Sequence, residues 1–206
     1  MSQPLALVAT PSNWRLFMVR KHDPRFLTFA QQVFARDQNT CQYCGFTAKS
    51  WMDVVNKDGD YHHNRLANLV TACPLCAQCF FLESVGRDEF GGGVLIVCPE
   101  LSQIELNSLC HVLFTAMISG GPRATDARHV YRGLRLRAQQ TDKLLGDGLS
   151  QPAMLGRLLV EHEGDMTKNL LAKVNASVRL LPEIQYFAEP VTTWIHEALS
   201  PVGEAV

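Results

Sequence analysis

The chain is predicted to be an α+β protein, with short strands and a cysteine-rich unit in its N-terminal half and helices over the rest. Three observations carry this. Five of the seven cysteines fall between Arg36 and Phe80, as two C-x-x-C pairs with one further thiol. Stretches rich in strand formers, bounded by turn residues, occupy the region up to Val97. Beyond Glu100, apolar residues recur at helical spacing between capping and stop signals. At 206 residues the chain suits one domain, or a small domain with a helical extension, and can bury a sizeable core. The boundaries read as 1–99 for the cysteine-bearing region, 100–146 for long helices packed on it, and 147–206 for a helical C-terminal region.

Taken in order, Leu5 to Ala9 and Trp14 to Val19 read as two short strands around the turn Thr10-Pro11-Ser12-Asn13. Asp23 before Pro24 is a helix start, with a carboxylate cap and proline in the first turn. Phe26, Phe29, Ala30, Val33 and Phe34 form its core face, and Arg36 and Asp37 close it. Trp51 to Val55 reads as the first strand of a hairpin with Asp58-Gly59 in its turn. Asn64 and Asn68 are expected to hold loop backbone. Cys76 to about Val85 reads as a helix. Gly91, Gly92 and Gly93 read as a flexible link, and a strand, Val94 to Val97, follows where a phosphate loop would need a helix. Ser102 with Glu105 is a capping box opening the helix Gln103 to Ser119. Its apolar face is broad enough for burial on more than one side, and His111 within it reads as a core or boundary residue. Gly120-Gly121-Pro122 stops it. A helix from about Asp126 to Leu145 follows, then helices at about 151–162, 167–179 and 191–199, which suggest a small bundle.

The cysteine spacing points to a metal. Cys41 and Cys44 form one knuckle, Cys73 and Cys76 a second, and the 28 residues from 45 to 72 lie between them. Two knuckles bring four thiolates to about 2.3 Å from one zinc ion and close a tetrahedral site. Cys79 is either an alternative ligand or a small buried hydrophobe, and the second reading is preferred.

The stretch 36–80 resembles the HNH nuclease family, whose core is a ββα unit clamped on zinc. Arg36, Asp37, Cys41, Cys44, Gly45, the run Asp58-Gly59-Asp60, Asn64, Asn68, Leu69, Cys73 and Cys76 match its pattern. The resemblance implies a ββα core here. It also identifies what is missing. The family's histidine pair falls on Val55 and Asn56, and an asparagine cannot serve as the general base. The family's ligand to the catalytic metal falls on Ala77. His62 and His63 lie beyond the Asp-Gly-Asp run, where a loop is expected and not the strand position a base needs. The expectation is a non-enzyme, with a metal-dependent nuclease or a nucleic-acid-binding zinc module as alternatives.

A wider resemblance covers most of the chain and weakens after about Ser150. The runs CAQCFFLESVG, GGG and ELNSLCHVLF, with SNWRLF near the start, are similar to the IcmJ/DotN family of type IVB (Dot/Icm) secretion systems. Membership implies a zinc-stabilised adaptor subunit of the coupling complex that binds the coupling ATPase DotL and supports effector export. It also implies a cytoplasmic protein held at the inner membrane through its partner.

Composition agrees with these expectations. The fractions of 47% hydrophobic and 19% charged residues are those of a globular chain, and a net charge of −1 argues against coating nucleic acid. Knuckled cysteines argue against a secreted disulfide framework. The start MSQPLALVAT lacks the basic region of a signal peptide, and no apolar run approaches membrane-spanning length. The one basic concentration surrounds Arg128, Arg132 and Arg135, which share a helical face and are candidates for meeting an acidic partner segment.

Overall fold

A computed structural model of the chain describes residues 5–162 and 164–200. The outer ends of the first and last predicted regions, 1–4 and 201–206, lie outside the described residues. Helices alternate with two separate antiparallel strand pairs, an α+β arrangement.

The stretch Trp14 to Val19 is not a strand. It lies in α1 (Asn13–Lys21), which buries Phe17 and Arg20 at helical spacing. Strand propensity is a weak prior where no strand stands alongside to complete the ladder. Leu5 to Ala9 is extended, but its hydrogen bonds are confined to Val8, which donates to Cys79 O and accepts from Leu82 N. Helix α2 (Pro24–Arg36) starts as the sequence requires, with the Asp23 side chain accepting from Arg25 N at 2.9 Å. Its buried face, Ala30 and Val33, packs on Val54 and Leu69.

Those two residues belong to β1 (Asp53–Asn56) and β2 (Leu69–Ala72), which pair antiparallel with Asp53 opposite Ala72 and Asn56 opposite Leu69. All eight residues are buried. The connection is a folded loop, 57–68, and not a tight hairpin turn. Asn68 donates to Asp58 Oδ1 at 2.8 Å and to His63 O at 2.9 Å, the backbone-holding role expected of it. Asn64 instead accepts from Arg20 Nη1 at 3.0 Å. Arg36 donates to Leu66 O and Leu69 O, both at 2.7 Å.

After β2 comes α3 (Pro74–Ala77), a single turn, followed by 3-10 turns at Gln78–Phe80 and Leu82–Ser84. The expected helix from Cys76 to Val85 is therefore broken. Phe81 leaves the helical region at φ −142°, ψ 51°. The break places Phe81 in the main core and Leu82 in a second one.

The three glycines are not a flexible link. A Cβ on Gly92 would overlap the Tyr186 ring, and one on Gly93 would sit 2.5 Å from Leu181 O, so backbone and side chains approach too closely for any larger residue. Gly93 opens β3 (Gly93–Val97), which pairs with β4 (Val178–Pro182). Between these strands run α4 (Gln103–Ser119), α5 (Ala124–Leu136), α6 (Ala138–Leu145), α7 (Pro152–Glu161) and α8 (Asp165–Ser177). Helix α4 has its capping box, Ser102 with Glu105, and ends on Gly120 at φ 68°. The predicted helix 126–145 is two helices parted at Arg137, whose guanidinium pairs with Glu100. The third C-terminal helix is α9 (Ala188–Leu199). Helix α7 packs on the turn at Leu82–Ser84 and α9 on α4, so the expected separate bundle is replaced by packing on the first half of the chain. The main core joins Phe17, Tyr43, Phe81, Phe114 and Trp194, and the second joins Leu82, Leu95, Leu155 and Leu180.

Candidate metal centre

The first knuckle is a turn beyond α2. Cys41 N donates to Phe46 O at 2.8 Å, and Gly45 N donates to Cys41 O at 2.9 Å. Gly45 sits at φ 77°, a conformation that favours glycine. Gln42 N donates to Thr71 O at 2.9 Å and so fastens this turn to β2. The second knuckle is the start of α3, with Cys73 at its cap, Pro74 in the first turn and Cys76 N donating to Cys73 O at 3.0 Å.

The fold thus brings Cys41, Cys44, Cys73 and Cys76 together, with their sulfur atoms all within 4.8 Å of one another. The Cys44 and Cys73 sulfurs are 3.6 Å apart. A disulfide bond is about 2.05 Å. A tetrahedron of sulfurs about 2.3 Å from a central ion has edges of about 3.8 Å. The observed spacing matches the second geometry, and all four cysteines are free.

Electrostatics favours a cation there. Hydrogen bonds from Cys41, Cys73 and Cys76 hold the Cys44 thiol well below its ordinary range. At Cys41, contact with Cys44 raises the pKa, but hydrogen bonds from Cys73 and Cys76 outweigh it and the net direction is down. Burial pushes Cys73 and Cys76 up. Four ionised thiols cannot share this buried space without a compensating positive charge. The residues fit a soft divalent ion bound by four thiolates.

Cys79 stands outside the cluster. Its sulfur donates to Leu75 O at 3.5 Å and burial pushes its thiol up to about 12, as expected of a small buried hydrophobe. Two further groups reach the cluster from α4, and the sequence reading did not assign them to it. Asn107 Nδ2 lies 3.2 Å from Cys76 Sγ, and His111 Nε2 lies 3.3 Å from Cys73 Sγ. The available signal was a polar residue at every fourth position, Gln103, Asn107 and His111, on the helix face that also carries apolar Leu106, Cys110 and Phe114.

Asn56 and Ala77, the two positions that depart from the nuclease pattern, are both buried. Asn56 is buried in β1, and its side chain is fully used: Nδ2 donates to Asp60 O at 2.7 Å and to His63 O at 3.0 Å, while Oδ1 accepts from Arg20 Nη1 at 2.5 Å. Arg20 is buried, donates also to Val54 O, and lies 4.6 Å from the ring centres of both Phe26 and Tyr61. Ala77 is fully buried in the main core. His62 and His63 lie in the loop 57–68, and His63 Nδ1 contacts Asp58 Oδ2 at 2.6 Å.

Arg128, Arg132 and Arg135 lie exposed on α5. Arg135 turns to Glu183 at 2.7 Å, and Arg128 donates to Met117 O at 3.3 Å. No helix among the described residues is long and apolar enough to cross a membrane.

No protein-family model matches the chain. The "Type 4 apparatus protein DotN" of Legionella pneumophila is 46% identical to it over 200 residues, covering 97% of this chain and 93% of that protein. Identity at this level along almost the whole length, with the two-knuckle thiol cluster at its centre, leads to one conclusion: the chain belongs to the IcmJ/DotN family.

Proposed function

We propose that this protein is a zinc-stabilised, non-catalytic adaptor subunit of a type IVB secretion system, and that it docks on the coupling ATPase DotL and supports effector export. The observation that carries the reading is the similarity to a type 4 apparatus protein along 97% of the chain. The HNH-like ββα unit would correspond to β1, β2 and α3 around the cluster. Zinc held by Cys41, Cys44, Cys73 and Cys76 would act structurally, joining the turn after α2 to the start of α3. A non-catalytic role is supported by Asn56, whose amide is committed to loop carbonyls and to Arg20, and by Ala77, which has no ligand atom. Among the arginines, Arg128 and Arg132 are the better candidates for a partner, because Arg135 already has Glu183. On this reading the protein resides in the cytoplasm and meets the inner membrane through DotL.

Calorimetric titration with DotL segments beyond its ATPase core tests the reading. Binding is expected, and Arg132→Glu should weaken it more than charge reversal at Lys168, which is exposed on α8. Failure of every segment to bind, together with absence of the protein from coupling complexes purified from native membranes, refutes it. Plasmid DNA should stay intact with the protein in magnesium, manganese or nickel. Cleavage abolished by His62→Ala or His63→Ala would establish a nuclease instead.

A further inference from the structure

The cysteine cluster does not stand alone on its two knuckles. Helix α4 presents Gln103, Asn107 and His111 at every fourth position, so all three share one face. All are buried, with exposures of 4%, 0% and 8%. Three polar side chains on the buried face of one helix need partners, and two of them find sulfur atoms.

The contacts form a ladder. Gln103 reads the backbone of β4 from both sides: its Nε2 donates to Leu180 O at 2.8 Å, and its Oε1 accepts from Leu180 N at 2.8 Å. The same Nε2 donates to Asn107 Oδ1 at 2.9 Å. That bond fixes which way the Asn107 amide faces. Its Nδ2 then points at the second knuckle, donating to Leu75 O at 3.1 Å and to Cys76 Sγ at 3.2 Å. One turn further, His111 Nε2 approaches Cys73 Sγ at 3.3 Å and Cys44 Sγ at 4.0 Å. Its ring lies flat on Phe46, centroids 3.9 Å apart and planes 7° from parallel, with Trp194 at 5.4 Å. Phe46 belongs to the first knuckle's turn, so one stacked ring touches both halves of the cluster.

We infer that Asn107 and His111 are positioning residues for the metal, donating N–H hydrogen bonds to the Cys76 and Cys73 thiolates, and that they set how tightly the ion is held. This rests on the reading that the cluster binds zinc. A metal-bound thiolate only accepts hydrogen bonds, so the nitrogen facing it must carry the proton. Four thiolates on a divalent ion leave a net charge of −2 in a buried place. Donors aimed at the sulfurs spread that charge and lower their reactivity. The ladder also explains why the buried face of α4 is polar at these three positions: the helix is a second wall of the metal site, tied at its far end to β4.

The test uses the full-length protein loaded with zinc, or with cobalt as a spectroscopic stand-in. His111→Phe keeps a flat ring against Phe46 and removes the donor, His111→Gln restores an N–H, and Asn107→Leu removes the second donor at similar volume. Zinc release to an excess of a chromogenic chelator is timed, the sulfur-to-cobalt charge-transfer band is recorded, and circular dichroism establishes that each variant is folded. Outer donors of this kind change metal affinity by about 10–100-fold. His111→Phe should release zinc faster by that order and shift the cobalt band, with His111→Gln nearer to wild type. Asn107→Leu should act in the same direction. A folded His111→Phe whose release rate and cobalt band equal wild type overturns the inference, as does a His111→Gln indistinguishable from His111→Phe. Wild-type protein that takes up neither zinc nor cobalt refutes the metal reading itself.

Discussion

Replacing Arg20 with methionine probes how firmly Asn56, at the end of β1, is committed to the fold. Arg20 is 6% exposed, and the one carboxylate that acts on it, Asp53, is paired with Lys21. Burial pulls its pKa down to about 10. Measured from the ordinary arginine range, and at about 1.4 kcal/mol per pH unit, that corresponds to roughly 3 kcal/mol of unfavourable burial. The uncharged side chain of the Arg20→Met variant relieves this. It also leaves two buried acceptors, Asn56 Oδ1 and Val54 O, without a donor, while exposed Asn64 turns to water. An orphaned buried acceptor costs about 1–3 kcal/mol, toward the upper end where the lost donor was charged, and stacking on Phe26 and Tyr61 adds about 0.5–2 kcal/mol. The losses exceed the relief by roughly 2–3 kcal/mol. For a chain of this size that lowers the melting temperature by about 5–10 °C. The assay is thermal unfolding in excess zinc, with hydrogen exchange followed in the loop 57–68 that Asn56 holds. Arg20→Met melting within about 2 °C of wild type, with unchanged exchange in that loop, would refute the reasoning.

Two further substitutions follow from packing and charge. Glu83 is a part-buried carboxyl whose Oε1 has no partner, and burial raises its pKa to about 7. The folded state keeps that proton where the unfolded chain releases it, so stability falls as pH rises from about 4.5 to about 7 and is level above. Glu83→Gln should therefore gain melting temperature over wild type at pH 8 and little at pH 4.5; an equal gain at both places the cause elsewhere. Gly156 in α7 faces backbone: an added Cβ would lie 2.5 Å from Glu83 Cα and 2.6 Å from Leu82 C. Gly156→Ala should gain about 1 kcal/mol of helix propensity and lose about 1–3 kcal/mol or more to the clash, a net destabilisation read by urea unfolding. A Gly156→Ala variant as stable as wild type would mean that α7 can shift freely.

Features carried by adjacent or regularly spaced residues were legible in the chain itself. The Asp23 cap, the Ser102 and Glu105 box and the stop at Gly120 are local chemistry, complete within a few residues. The cluster of four thiols, close enough to hold one ion, was legible because each knuckle is local and two knuckles imply a common site. The C-terminal helices were found by their spacing, but not where they pack, because an apolar face does not name its partner.

What the tertiary structure alone decided lies between distant residues. The predicted helix 167–179 overlaps only the first two residues of β4, since Val178 to Pro182 becomes a strand only by pairing with β3 some eighty residues earlier. Trp14 to Val19 looks like a strand, yet no strand adjoins it, and as a helix it sends Arg20 to Asn56. Phe81 breaks a helix that the local pattern favours, entering the main core while Leu82 enters the second. His111 and Cys73 are 38 positions apart, and nothing in either neighbourhood announces the other. Sequence determined the thiol knuckles and the caps because short-range geometry suffices for them. Structure determined the wall around the thiols, because burial of polar groups is satisfied only by whichever atoms the folded chain brings near.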